Sequence, residues 1–191
     1  VVTVTVFSLP VPVINSNAPV CFGSTLTFTA SGGATYQWAG PNGFNSLSQT
    51  PSITNVSLLA NGIYTMIASA GSCSASTTAS ITINPLPTPT ASNNSPICNG
   101  QTLNLNSTAA VTYTWSGPGA FTSNNQNPSI AVASPTNSGV YTVTVTDNNT
   151  CKNSATTNVT VNPTPTLSAN GSSVCVGQNM TIAANSLPGS T

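Results

Sequence analysis

The side chains able to do chemistry are five cysteines, one aspartate (Asp147) and one lysine (Lys152), in a 191-residue sequence without histidine. Asp147 and Lys152 stand close enough to suggest an isopeptide cross-link. Asp147-Asn148-Asn149-Thr150 reads instead as a polar hairpin turn, and the related segment earlier in the chain carries Ala70 and Ser74 at those places. Acid–base and nucleophilic catalysis need titratable groups near one another, so no catalytic residue is expected. The cysteines do not fall at zinc-ligand spacing and lack histidine partners, and one carboxylate cannot furnish a series of calcium ligands. No metal or cofactor is expected.

Charged residues make up 1% of the chain, against about 25% in an ordinary soluble domain. Nucleic acid needs a basic surface to meet its phosphates, so it is excluded as a partner. Serine, threonine, asparagine and glycine take the place of charge. Hydrophobic residues still reach 38% and recur in alternation, which favours folded strands over disorder. A trypsin-like protease would find a single target, Lys152. Such a neutral, protease-poor coat suits an extracellular or cell-surface setting. No apolar run approaches a membrane span and no signal peptide is visible. The chain opens on Val1 within a strand pattern, and it reads as a segment of a larger secreted protein.

The elements that position these residues are repeated. Val20-Cys21-Phe22-Gly23, Ile97-Cys98-Asn99-Gly100 and Val174-Cys175-Val176-Gly177 recur every 77 residues (98 − 21 and 175 − 98). The same interval links Tyr36 to Tyr113, Trp38 to Trp115, Gly62 to Gly139 and Tyr64 to Tyr141. Cys73 matches Cys151 after one added residue in the turn before it. Internal repetition of this kind outranks any local motif in reading a fold. The expected organisation is a last strand of a preceding repeat at 1–10, with Val2, Val4 and Val6 in the places of Ala79, Ile81 and Ile83. Full repeats follow at 11–86 and 87–163, and a further, incomplete repeat starts at 164–191. The links Pro85-Leu86-Pro87-Thr88-Pro89 and Pro163-Thr164-Pro165 favour extended, semi-rigid spacing, so a head-to-tail rod is expected.

Each repeat reads as an all-β sandwich, because short alternating segments are separated by Gly, Pro, Asn and Ser turns. Leu26, Phe28 and Ala30 alternate with threonines; Leu103 with Leu105, and Met180 with Ile182, repeat the pattern. Trp38 and Trp115 share an inward face with Tyr36 and Tyr113 and are expected in the core rather than as sugar-stacking platforms. Phe44 and Phe121 follow turn residues and are open between core and surface. Ile53 and Val56 in one repeat, and Ile130 and Val132 in the other, lead into Gly-x-Tyr-x-apolar phrases at Tyr64 and Tyr141. These resemble the tyrosine corner of immunoglobulin-like domains. Met66 and Val143 stand where antibody domains carry a core cysteine, so the core is expected to be hydrophobic packing alone.

Taken together, Pro-x-x-Cys-x-Gly, Tyr-x-Trp-x-Gly-Pro, Ser-Gly-x-Tyr-Thr-Val-Thr-Val and the closing Val-Thr-Val-Asn-Pro resemble the Ig-like and PKD-like repeats of giant Bacteroidota surface proteins. The resemblance spans essentially the whole chain. It implies adhesins, gliding-motility filaments or stalks for other modules.

Five cysteines in an extracellular-looking chain argue for disulfides. One reading closes each repeat internally, Cys21 with Cys73 and Cys98 with Cys151. Against it, Cys21 precedes the second long strand while Cys73 follows the last hairpin turn, at opposite ends of the sandwich. A seven-residue strand rises roughly 23 Å, whereas bonded cysteines need Cα atoms within about 7 Å. The favoured reading is therefore an inter-domain bond from Cys21 to Cys151, with Cys73, Cys98 and Cys175 paired to repeats outside this segment.

The functional expectation is a structural segment of an extracellular stalk or surface filament, giving reach and stiffness in adhesion or motility. Its partners would be neighbouring repeats of the same chain and, in a filament, identical chains. The alternative is a binding module whose loops grip a glycan or protein. Loops Gly40-Pro41-Asn42-Gly43-Phe44 and Gly117-Pro118-Gly119-Ala120-Phe121 differ between repeats but hold no charged or aromatic cluster.

Overall fold

The computed structural model describes residues 8–165 together with 169–170, 175–177, 179 and 183–184. Val2, Val4 and Val6, and the alternation of Met180 with Ile182, lie outside the described residues. Among the described residues, all elements are strands apart from three single turns of 3₁₀ helix. The chain divides into two compact units. One holds Val1–Thr88 with Ala110–Thr112 and Thr144–Ser154; the other holds Pro89–Ala109, Tyr113–Val143 and Ala155–Thr191.

In the first repeat, β1 (Val13–Ser16), β3 (Leu26–Ser31) and β6 (Ser52–Ile53) form one sheet in the order β1-β3-β6. The second sheet runs β5-β4-β7-β8, from β4 (Thr35–Ala39), β5 (Asn45–Ser46), β7 (Gly62–Ala70) and β8 (Cys73–Ile81). Two short strands, β2 (Val20–Cys21) and β9 (Ile83–Asn84), pair in parallel. Side chains alternate across a strand, and β3 accordingly buries Leu26, Phe28 and Ala30 while exposing Thr27 and Thr29. These meet Trp38, Tyr64, Met66 and Ala68 from the other sheet. Phe28 lies 5.2 Å from Trp38 and 4.8 Å from Tyr64 between ring centroids, within the range of favourable aromatic packing.

The second repeat reproduces the plan. Its sheets are β10-β12-β15, from β10 (Ala91–Asn93), β12 (Leu103–Ser107) and β15 (Ser129–Ile130), and β14-β13-β16-β17. The latter contains β13 (Thr112–Gly117), β14 (Phe121–Ser123), β16 (Gly139–Thr146) and β17 (Lys152–Val159). Again a short parallel pair, β11 (Ile97–Cys98) with β18 (Val161–Asn162), completes it. A last pair, β19 (Ala169–Asn170) with β20 (Ala183–Ala184), is antiparallel. Core volumes trade between repeats. Phe28 and Val56 become Leu105 and Ala133, whereas Ala68 becomes Val145, and all six are buried.

The Trp-x-Gly-Pro and Gly-x-Tyr phrases prove to be one packing unit. A Cβ on Gly40 would stand 2.5 Å from Tyr64 Cδ1, so the ring lies directly on glycine backbone. Gly62, at φ 137°, faces Pro41, whose Cγ would be 2.9 Å from an added Cβ. Gly117 with Tyr141 and Gly139 with Pro118 repeat both contacts. Each tyrosine hydroxyl donates back along the chain, Tyr64 to the Ala60 carbonyl at 3.1 Å and Tyr141 to that of Asn137 at 3.0 Å. These are tyrosine corners.

One detail departs from the sequence pairing of Val56 with Val132, and one place left open is now set. Val132 is 74% exposed, and Ala133 takes the inward place of Val56. The 77-residue offset maps Val56 onto Ala133, and bulk alone points to the wrong neighbour. Phe44 and Phe121 are half-buried and stack edge-on against Tyr64 and Tyr141 at 5.3 and 5.5 Å.

Ser107 occupies the place of Ala30, and its Oγ is buried without a hydrogen-bond partner. An orphaned buried hydroxyl costs roughly 1–3 kcal/mol. Ser107→Ala should therefore raise the urea midpoint, by about 1 kcal/mol of stability, whereas Trp115→Ala should cost about 3–5 kcal/mol. Burial raises the pKa of Tyr64 and Tyr141 above 10.0. The folded phenols hold their protons longer than the unfolded ones, so this contribution is complete below pH 10 and lost as pH climbs through the folded values. Thermal unfolding should show the midpoint falling above about pH 10, and falling less in Tyr64→Phe.

Candidate functional site

Three of the reactive side chains, Cys21, Cys151 and Asp147, meet at one place. Cys21 ends β2 and is held on both flanks: Val20 N donates to Thr82 O at 3.3 Å and Phe22 N to Asn84 O at 2.8 Å. Its own carbonyl accepts from Ser24 N at 3.0 Å, closing a turn through Gly23 at φ 81°. Cys151 immediately precedes β17, the last long strand of the second repeat, and is 1% exposed. The one aspartate anchors it. Asp147 Oδ1 accepts from Asn149 N at 2.8 Å and Cys151 N at 2.9 Å, and Asp147 N donates to Cys151 O at 3.0 Å.

Cys21 and Cys151 form a disulfide, with Cα atoms 5.6 Å apart across 130 residues of sequence. That separation is typical of the bond. The bond joins a cysteine of the first sequence repeat to one of the second, and both belong to the same compact unit. The within-repeat pairs Cys21–Cys73 and Cys98–Cys151 are not formed. Cys73 is half-buried and opens β8 opposite Ala70, the position that Cys151 has in the second repeat. Cys98 and Cys175 are exposed thiols. Cys98 is framed as Cys21 is, with Asn99 N donating to Asn162 O at 2.8 Å and Gln101 N to Cys98 O at 3.1 Å.

The turn before Cys151 explains the added residue. In the first repeat, Ala70 pairs with Cys73 across the two-residue loop Gly71-Ser72, with Gly71 at φ 60°. In the second, Asp147 and Cys151 flank three residues, and Thr150 takes the left-handed conformation at φ 63°. Three-residue hairpins place their last loop residue there.

Trp38, Trp115, Tyr64 and Tyr141 all lie in the cores, at most 1% exposed. A shallow surface depression of about 440 Å³ is lined by Tyr36, Gln37, Leu47, Gln49 and Ser69, all uncharged. Among the described residues, no group of three or more His, Cys, Asp or Glu could hold a metal. No helix among them is long and apolar enough to cross a membrane.

Sequence reasoning overlooked a set of amide clamps. Asn17 accepts from Thr27 N at 2.9 Å and donates to Thr25 O at 3.0 Å; Asn94 does the same with Asn104 N and Thr102 O at 2.8 and 3.0 Å. Gln49 and Gln126 donate to Ala30 O and Ser107 O at 3.0 and 2.9 Å. Each pair is 77 residues apart, a recurrence that could have revealed them.

A family model described as an Ig-like domain, CHU_C associated, matches residues 10–85, and one described as an immunoglobulin domain matches residues 81–161. This is a tandem of immunoglobulin-like domains. No curated protein matches the chain. Among solved structures, the tandem is similar to a mouse coronavirus receptor-binding domain complexed with its murine receptor, at 10% identity and TM-score 0.41, covering 78% of this chain and 99% of that one. It is also similar to three N-terminal domains of the bacteriophage RB49 highly immunogenic outer capsid protein, at 16% identity and TM-score 0.41, covering 93% and 69%. A chimeric titin Z1Z2 carrying a decorin peptide matches at 20% identity and TM-score 0.34, covering 81% and 98%. At these scores the likenesses carry no argument about this tandem's role.

Removing the bridge with Cys21→Ala should cost about 2–5 kcal/mol in urea unfolding. Asp147→Ala should cost about 1–2 kcal/mol through the lost turn bonds, and Asp147→Asn, which keeps an acceptor oxygen, should cost less.

Proposed function

We propose that this tandem is a structural segment of a long extracellular stalk or surface filament of the giant Bacteroidota type, giving reach and stiffness in adhesion or motility. The observation that carries the reading is the disulfide between successive sequence repeats, which spends the chain's reactive residues on linkage. The proline-rich links favour extended spacing. Near-additive stability along such an array suits a length-setting part. An uncharged surface and a shallow neutral depression favour no ligand class over another, so the loop-binding alternative has less behind it. In this reading the repeats are those at 11–86 and 87–163. Cys98 and Cys175, placed as Cys21 is, bond cysteines of following repeats.

Antibodies raised against the segment test it on intact cells by immunogold electron microscopy. Label standing well outside the envelope is expected. Label found only after permeabilisation would overturn the proposal. So would a band near 19.1 kDa on a reducing denaturing immunoblot, where a far larger polypeptide is expected.

A further inference from the structure

We propose that the Cys21–Cys151 bridge is an extension stop, a covalent shortcut that carries tension past both sandwich cores. The stalk reading supplies its setting, but the physics needs only the connectivity. Every residue between 21 and 151 lies inside one closed covalent loop. Trp38, Tyr64, Trp115 and Tyr141 are inside it, as are all strands from β3 to β16. A pull on the two ends runs along the chain to Cys21, crosses the two sulfurs, and leaves along β17 and β18. Of the described strands before β19, only β1, β2, β17 and β18 lie on the loaded path.

The choice of cysteines matters. Bridges within each repeat would leave Pro85-Leu86-Pro87-Thr88-Pro89 under load, so the link between repeats would extend first. The observed bridge encloses that link as well. Residues between the two cysteines then add no length when either core unfolds, whereas β1, β2, β17 and β18, which bring Ile14, Val20, Val159 and Val161 to the cores, stay under load.

The lengths are distinct enough to measure. The 191 residues make 190 steps, and 190 − 130 leaves 60 outside the loop. At about 3.3–3.6 Å per residue, the bridged chain reaches about 200–215 Å and the loop withholds about 430–470 Å. Single-molecule pulling of the 191-residue chain, tethered at its ends, reads this directly. Without reductant, extension should stop near the shorter limit, and Trp115→Ala should leave that limit unchanged. Adding dithiothreitol should release the withheld length. The reagent closes to its cyclic disulfide, and its two electrons and two protons turn the bridge into the thiols of Cys21 and Cys151. Cys151→Ala should extend fully without reductant; the reductant experiment on the unaltered chain gives the same comparison if that variant does not fold. Full extension of the unaltered chain without reductant overturns the proposal. So does a limit near about 280–305 Å, the reach of the 85 steps that Cys21–Cys73 and Cys98–Cys151 bridges would leave outside their loops (190 − 52 − 53). Neither result bears on where the segment lies on the cell, so failure here is separable from failure of the stalk reading.

Discussion

The structure depends on how a chain almost without charge satisfies its polar groups. Backbone N–H and C=O groups left outside the strand ladders need partners, and here neutral side chains supply several of them. Asn17 and Asn94 tie the first strand region to the next, and Gln49 and Gln126 hold the end of the second long strand. The tyrosine corners fasten the turns that lead into β7 and β16. With these loops fixed by hydrogen bonds, the alternating strands can place one face inward, and the aromatic cores follow.

That dependence explains why the fold was so legible. The 77-residue recurrence marks the packing unit itself: Gly40 beneath Tyr64 and Pro41 against Gly62 require particular residues at particular places. Alternation in Leu26-Thr27-Phe28-Thr29-Ala30 fixes which face is buried without reference to anything distant. Where reading failed, the deciding factor was local shape that composition does not carry. In sequence Val132 was set beside Val56, yet the backbone turns Ala133 inward at that place. Phe44 and Phe121 could not be placed because their neighbours are turn residues, and only the tyrosine ring beside each of them decides their burial.

The bridge belongs to an intermediate case. Cys21 and Cys73 stand at opposite ends of a sandwich, and that much follows from strand order. The role of Asp147 does not. In sequence it is a lone acid in a polar turn; in the structure its carboxylate gathers two backbone N–H groups and sets the backbone of Cys151. The chain's single side-chain carboxylate thus serves the Cys21–Cys151 cross-link.

The neutral clamps have a consequence for the medium the protein can inhabit. Ionic strength acts on stability mainly by screening charge–charge interactions, over a Debye length of about 10 Å at 0.1 M salt. A fold assembled from amides, hydroxyls and aromatic rings, with one acid and one base in all, offers almost nothing to screen. Screening therefore shifts its folded state little between low and moderate ionic strength, where a surface stapled by ion pairs would loosen.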